Sequence, residues 1–201
     1  MNFLAHLYLA GDDEELMLGA LLGDFIRGRD RLKSYEPGLR RGILLHRHID
    51  SHIDALPAFD SLRSFFQPPF RRYSGIIIDL GLDHELAKHW TEFSPISLDR
   101  FDAQVRTLLE RNSDLVPQGL DRFMSYADQR GLFSAYADSG EILHSLTGVG
   151  RRLSRPNPLH RVAEVWDEFE PVLAAKFKPL FDDVQSEVAR WLKSKSTITG
   201  S

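Results

Sequence analysis

At 201 residues the chain is long enough for one domain with a sizeable core, and nothing in it forces two. Hydrophobic residues at 42% and charged residues at 27% are ordinary for a soluble globular protein, and a net charge of −4 provides no overall basic field for nucleic acid. The lack of any cysteine excludes disulfides, thiolate metal sites and a cysteine nucleophile, and fits a reducing cytoplasm.

The opening "MNFLAHLYLAGDDEE" is apolar at first but has no basic n-region, no adequate h-region and no small-residue cleavage site, so no secretion signal is expected. "LMLGALLG" is bounded by acids and far too short to span a bilayer, so the chain reads as soluble, without membrane association. Prolines and glycines then divide the sequence into segments with helical periodicity: residues 14–27, 38–55, 73–92, 97–112, 119–129, 140–152 and 158–193. The last is expected to bend or break at Pro171 or Pro179, and "RPNPLHRV" supplies its start, with Asn157 as N-cap and Pro158 in the first turn. "SGIIID" is the single short β-branched run, and it leads directly into helix-forming "ELAKHW". The expectation is one all-α domain over residues 1–195, with a disordered tail at 196–201.

Three of these segments carry acids and histidines where a plain helical bundle would not place them. Asp24 interrupts the apolar run "LMLGALLGDFIRG". In "GILLHRHIDSHID", Leu45, Ile49, Ile53 and Leu56 form an inward stripe, while His46, Asp50 and Asp54 form a second stripe about 100° away. In "IIIDLGLDHELAKHW", Asp79 and Asp83 fall on the apolar face of Ile76, Leu80, Leu86, Ala87 and Trp90, with His84 beside them.

A buried carboxylate costs several kcal/mol unless an arginine, a proton or a metal cation relieves it. Arg47, Arg71 and Arg72 are near enough in sequence to neutralise some of these acids, but not four or five with histidines converging as well. Mixed carboxylate and imidazole donors at i, i+4 on neighbouring helices suit Mn²⁺, Fe²⁺, Zn²⁺ or Mg²⁺. Taken singly, most pieces have plainer readings. His46 with Asp50 is a common helix pair, Asp24 can cap a turn after Gly23, and Asp54 can be solvated near the helix end. His48 and His52 project from another face as surface residues, and His89 is an exposed neighbour of Trp90. Asp79 with Asp83 is harder to explain without a cation, and the coincidence of three such helices in the first 90 residues favours a metal site.

No Gly-rich phosphate loop follows a strand, and no G-x-S-x-G elbow is present. Basic residues cluster in "RGRDRLK" at 27–33, in Arg pairs at 40–41 and 71–72, and in "RRLSR" at 151–155. Each alone reads as solvated surface, although a local positive face for an acidic partner is possible.

Four ordered motifs, "MNFLAHLYLA", "GDFIRG", "LHRHID" and "DLGLDHELAKHW", together resemble the acyl carrier protein phosphodiesterase (acyl carrier protein hydrolase) family from residue 1 to about 95, and more loosely beyond. The resemblance implies an all-helical fold distantly related to the HD-type metal phosphohydrolases. It also implies a divalent-metal-dependent activity, usually with Mn²⁺ (Mg²⁺ or Fe²⁺ as alternatives), that removes the 4′-phosphopantetheine arm from holo-acyl carrier protein. By the motifs, Asp24, His46, Asp50, Asp79 and Asp83 are the implied metal ligands, and His84, His6 and Arg47 the implied catalytic groups: the histidines for proton relay, Arg47 for charge on the non-bridging oxygens. Leu82, and Ile53 in the "SHID" that stands where the family has a "TD" pair, depart from the pattern without touching a proposed ligand.

Carrier proteins are small, acidic and helical, so Arg27, Arg29, Arg31 and Lys33, which follow Asp24, are the expected docking patch. Two rival readings share the sequence. One is an HD-type hydrolase of a nucleotide or another small phosphodiester; the other is a non-catalytic helical module that binds carrier protein.

Overall fold

A computed structural model describes residues 3–26, 28–117, 120 and 133–196. The described residues contain helices and no strand, as the periodicity implies. The main elements are α1 (Phe3–Ala10), α2 (Glu14–Leu22), a short α3 (Arg29–Leu32), α4 (Pro37–Asp54), α5 (Pro57–Phe65), α6 (Ser74–Lys88), a short α7 (Trp90–Phe93), α8 (Leu98–Arg111), α9 (Ser139–Arg152) and α10 (Ala163–Ser196). The segment expected at 119–129 lies, apart from Leu120, outside the described residues, as does the tail from 197 onward. No helix is long and apolar enough to cross a membrane among the described residues.

Local chemistry sets several boundaries. Pro37 and Pro57 occupy the first turns of α4 and α5, where a missing N–H removes no helical bond. Asp13 caps α2 by accepting the Glu15 and Leu16 N–H groups, both at 3.0 Å, and Asp138 does the same for α9 through Gly140 and Glu141. The expected helix 14–27 stops at Leu22, so Asp24 stands in the turn that follows Gly23. The expected helix 73–92 divides at His89 into α6 and α7.

Asn157 caps a different element from the one expected. Its Oδ1 accepts the Leu159 N–H at 3.2 Å to start one 3₁₀ turn, Leu159–Arg161, and its amide donates to the Gly150 carbonyl at 2.8 Å. The long helix begins only at Ala163 and then runs unbroken through both prolines, which lie on its exposed face. Its inner stripe, Trp166, Phe169, Leu173, Phe177, Phe181, Val184 and Val188, is buried throughout at helical spacing.

The centre of the molecule is α6, buried on almost every side between α1, α5, α9 and α10. Beside it, α2 and α4 pack backbone to backbone. A Cβ on Gly19 would sit 2.7 Å from the Gly42 Cα, and one on Gly42 would sit 2.5 Å from the Leu16 carbonyl oxygen, so only glycine allows this approach. One turn further along each helix, Gly23 lies against the His46 ring, in space that any side chain would need. The glycine pair therefore fixes how closely the end of α2 meets the middle of α4.

Candidate metal centre

His6 from α1, His46 and Asp50 from α4, and Asp24 from the turn after α2 converge at that meeting point. His6 Nε2 lies 3.0 Å from Asp50 Oδ1, and His46 Nε2 lies 3.1 Å from Asp50 Oδ2 and 3.4 Å from Asp24 Oδ1. One donor atom each from His6, His46 and Asp50 lies within 4.8 Å of the others. The imidazoles are buried, at 1% and 3% exposure, whereas the side chains of Asp24 and Asp50 are 53% and 40% exposed, so the cluster opens to solvent on its carboxylate side.

The two imidazole rings stack with centroids 3.9 Å apart and planes inclined by 20°. Two cationic rings cannot share that geometry. Burial, followed by the charge of His46, lowers His6 to about 4. Burial also opposes charge on His46, but Asp24 and Asp50 outweigh it and hold that imidazole up to about 9. In Asp50 and Asp24, hydrogen bonding to the imidazoles overcomes the upward push of burial and leaves both carboxyls below their usual range. The Nδ1 of each ring is buried without a hydrogen-bond partner, while both Nε2 atoms face the carboxylates.

Among the described residues no arginine is paired with Asp24 or Asp50. Arg47 Nη2 donates instead to the Ile26 carbonyl at 2.6 Å and ties down the turn that carries Asp24. Arg71 and Arg72 pair with no carboxylate among the described residues, and Arg63 goes to Asp54 at 3.0 Å. The neighbouring donor atoms sit 3.0–3.4 Å apart, and the nitrogen and oxygen donors of His6, His46 and Asp50, all within 4.8 Å of one another, are consistent with a divalent ion between them.

Asp83 and His84, both expected at this site, are elsewhere. Asp83 is fully buried and accepts the Leu4 and Ala5 N–H groups at 2.9 and 3.0 Å, capping the start of α1. The carboxylate in the apolar stripe of α6 thus answers the orphan donors of another helix. His84 faces the opposite way. Its Nδ1 donates to the Tyr136 carbonyl at 2.6 Å and its Nε2 lies 3.1 Å from Glu170, in a second group with Glu85 whose cation is Lys88, 2.8 Å from Glu170 and 3.3 Å from Glu85. Both ring nitrogens are committed, so proton relay at the first cluster is not open to His84.

Asp79 is half-buried and falls outside the tight cluster. Burial raises its pKa, and the charges of Asp50 and Asp54 raise it further. His48 and His52, expected on a free surface, pair with Glu187 at 2.8 Å and Asp183 at 2.6 Å and bind α4 to α10. Of the expected docking residues, Arg31 and Lys33 are exposed, and Lys33 lies 3.2 Å from Asp30; Arg27 and the side chain of Arg29 lie outside the described residues.

Helical periodicity does not place His6 in the donor group; the resemblance named it through the N-terminal motif. Within the residues themselves, its signal is a lone imidazole in the otherwise apolar "FLAHLYLA", in which six of eight residues are buried.

Comparison with known proteins identifies the family of the chain. The pattern that defines the acyl carrier protein phosphodiesterase family matches residues 1–184. A protein of Serratia proteamaculans named acyl carrier protein phosphodiesterase is 35% identical over 156 residues, covering 77% of this chain and 80% of its own. One of the same name from Salmonella agona is 33% identical over 198 residues, covering 94% and 98%. No solved structure matches the chain. With a match across nearly its whole length, and relatives that align almost end to end, the chain belongs to the acyl carrier protein phosphodiesterase family.

Proposed function

We propose that this protein is a metal-dependent phosphodiesterase that cleaves 4′-phosphopantetheine from holo-acyl carrier protein, leaving the serine hydroxyl of the apo-protein, with Mn²⁺ as the working ion and Mg²⁺ or Fe²⁺ as alternatives. The observation that carries the reading is the convergence of His6, His46, Asp50 and Asp24 on one another from three parts of the chain. When bound, a divalent ion lowers the pKa of a coordinated water and neutralises charge on the phosphodiester oxygens.

The chain's own residues prepare the rest. His6 and His46 offer Nε2 from a dry wall, and Asp50 and Asp24 offer oxygens from the open side, where a diester attached to a protein surface can enter. Arg47 holds the Asp24 turn in place through Ile26. Asp79, close enough to Asp50 to feel its charge, is assigned to the margin of the centre as an outer carboxylate. A cysteine-free chain suits a reducing cytoplasm, which is where we place it.

The test is mass spectrometry of holo-acyl carrier protein incubated with the enzyme, with and without Mn²⁺ and a chelator. Loss of the prosthetic-group mass only when the metal is present is expected. An unchanged carrier protein, with hydrolysis of nucleotides in the same preparation, would replace this reading with the small-phosphodiester one.

A further inference from the structure

Two basic stretches that are 80 residues apart in sequence meet in space. Tyr73 donates its hydroxyl to the Pro156 carbonyl at 3.2 Å, which sets Arg71 and Arg72 alongside the segment that carries Arg151, Arg152 and Arg155. All five arginines are exposed, and among the described residues none is paired with a carboxylate. Arg71 and Arg72, with Arg63, also line a hollow of about 300 Å³ whose floor is the first turn of α6. A concentration of unpaired guanidinium groups on a protein of net charge −4 is a field that favours an acidic partner.

The position of this surface is what gives it meaning. Arg63 pairs with Asp54, one helical turn, or about 6 Å, beyond Asp50 on α4. Asp79, one turn along α6 from the floor of the hollow, feels the charges of both Asp50 and Asp54. The basic surface therefore borders the metal centre. If the diester cleaved is the one proposed above, its scissile bond joins the arm to a serine on the carrier protein itself, so the carrier protein must press against the mouth of the centre. Whatever holds it there has to be adjacent.

We propose that the surface formed by Arg71, Arg72, Arg151, Arg152 and Arg155 beside the metal centre is where the acidic face of the carrier protein docks. The proposal rests on the phosphodiesterase reading. It places docking on the α4–α6 side of the centre, not on residues 27–33 alone.

The experiment compares full-length wild type with Arg71→Glu/Arg72→Glu, Arg151→Glu/Arg155→Glu and Arg31→Glu/Lys33→Glu, each loaded with Mn²⁺. Holo-carrier protein and bis(p-nitrophenyl) phosphate are the two substrates. The two arginine variants are expected to raise KM for carrier protein on the order of tenfold at low salt, with kcat nearly kept, and the difference should shrink at high salt. Turnover of the small diester should match wild type, which separates docking from damage to the centre.

If wild type releases phosphopantetheine but KM is unmoved in both arginine variants, the docking surface is wrong and the activity stands. If KM rises only in Arg31→Glu/Lys33→Glu, docking belongs to residues 27–33. A wild type that leaves carrier protein intact fails the activity itself, and the proposal falls with it. An oligonucleotide that binds wild type at physiological salt, and is lost from the arginine variants while KM for carrier protein holds, would assign the surface to nucleic acid instead.

Discussion

Single side chains around α6 separate chemistry from architecture. His46 and Asp50 touch each other and the other donors, so His46→Ala or Asp50→Ala should reduce phosphopantetheine release by more than about 100-fold and abolish stoichiometric metal binding while the helical circular dichroism stays. A His46→Ala enzyme with wild-type turnover would remove the metal centre from the mechanism. Asp83 predicts the opposite pattern. Asp83→Ala strips two buried N–H groups of their acceptor, about 1–3 kcal/mol each, so it should lower stability sharply with little change in kcat for the protein that remains folded. His84→Ala belongs with it, since the ring links Tyr136 to Glu170 away from the centre.

At the scale of elements, the fit of α2 on α4 rests on the absence of side chains at Gly19 and Gly42. Gly42→Ala should force the helices apart and destabilise by about 1–3 kcal/mol, seen as a lower Tm. Gly23→Ala should act more locally, moving the His46 ring and weakening metal affinity more than stability; equal metal titrations for wild type and Gly23→Ala would contradict this.

The contact between α1 and α6 carries a pH dependence. Burial pushes the Asp83 carboxyl up from 3.8 to about 7, only partly opposed by the N–H groups of Ala5 and Leu4. The folded state thus holds this proton more tightly than the unfolded chain. The contribution of Asp83 to stability is fully present below pH 3.8 and is lost as the pH rises towards 7. Denaturant midpoints measured across that window should change less in Asp83→Asn, which keeps one acceptor and cannot ionise.

For the molecule as a whole, an ion that binds only the folded state adds to stability by mass action, about 2.7 kcal/mol at a concentration 100 times its Kd. Adding Mn²⁺ should therefore raise Tm in wild type, and the rise should vanish in Asp50→Ala. A Tm rise of the same size in both proteins would show that the ion acts elsewhere. Glu170 offers a control far from the centre. The hydrogen bonds of Lys88 and His84 overcome burial and hold it down to about 2, so its contribution is present above pH 4.5 and lost only as the pH falls towards 2.

Helical class, most helix positions and the presence of acids and imidazoles at i, i+4 were legible in the sequence because each depends on neighbours within a turn or two. α1 escaped notice because it is buried on nearly all sides and shows no polar face, and α5 because its nine residues lie between prolines. The partners of those acids were a different matter. Asp79, Asp83 and His84 share one short stretch of α6; Asp79 and Asp83 lie one turn apart on the same face, while a rotation of about 100° turns His84 away from both, towards Tyr136 and Glu170. Helical spacing says which residues share a face, but it does not say which helix that face will meet. Only the packing of α1 against both α6 and α4 decided that Asp83 caps a helix while His6 joins the donor group, because long-range contact, not local pattern, supplies each buried charge with its partner.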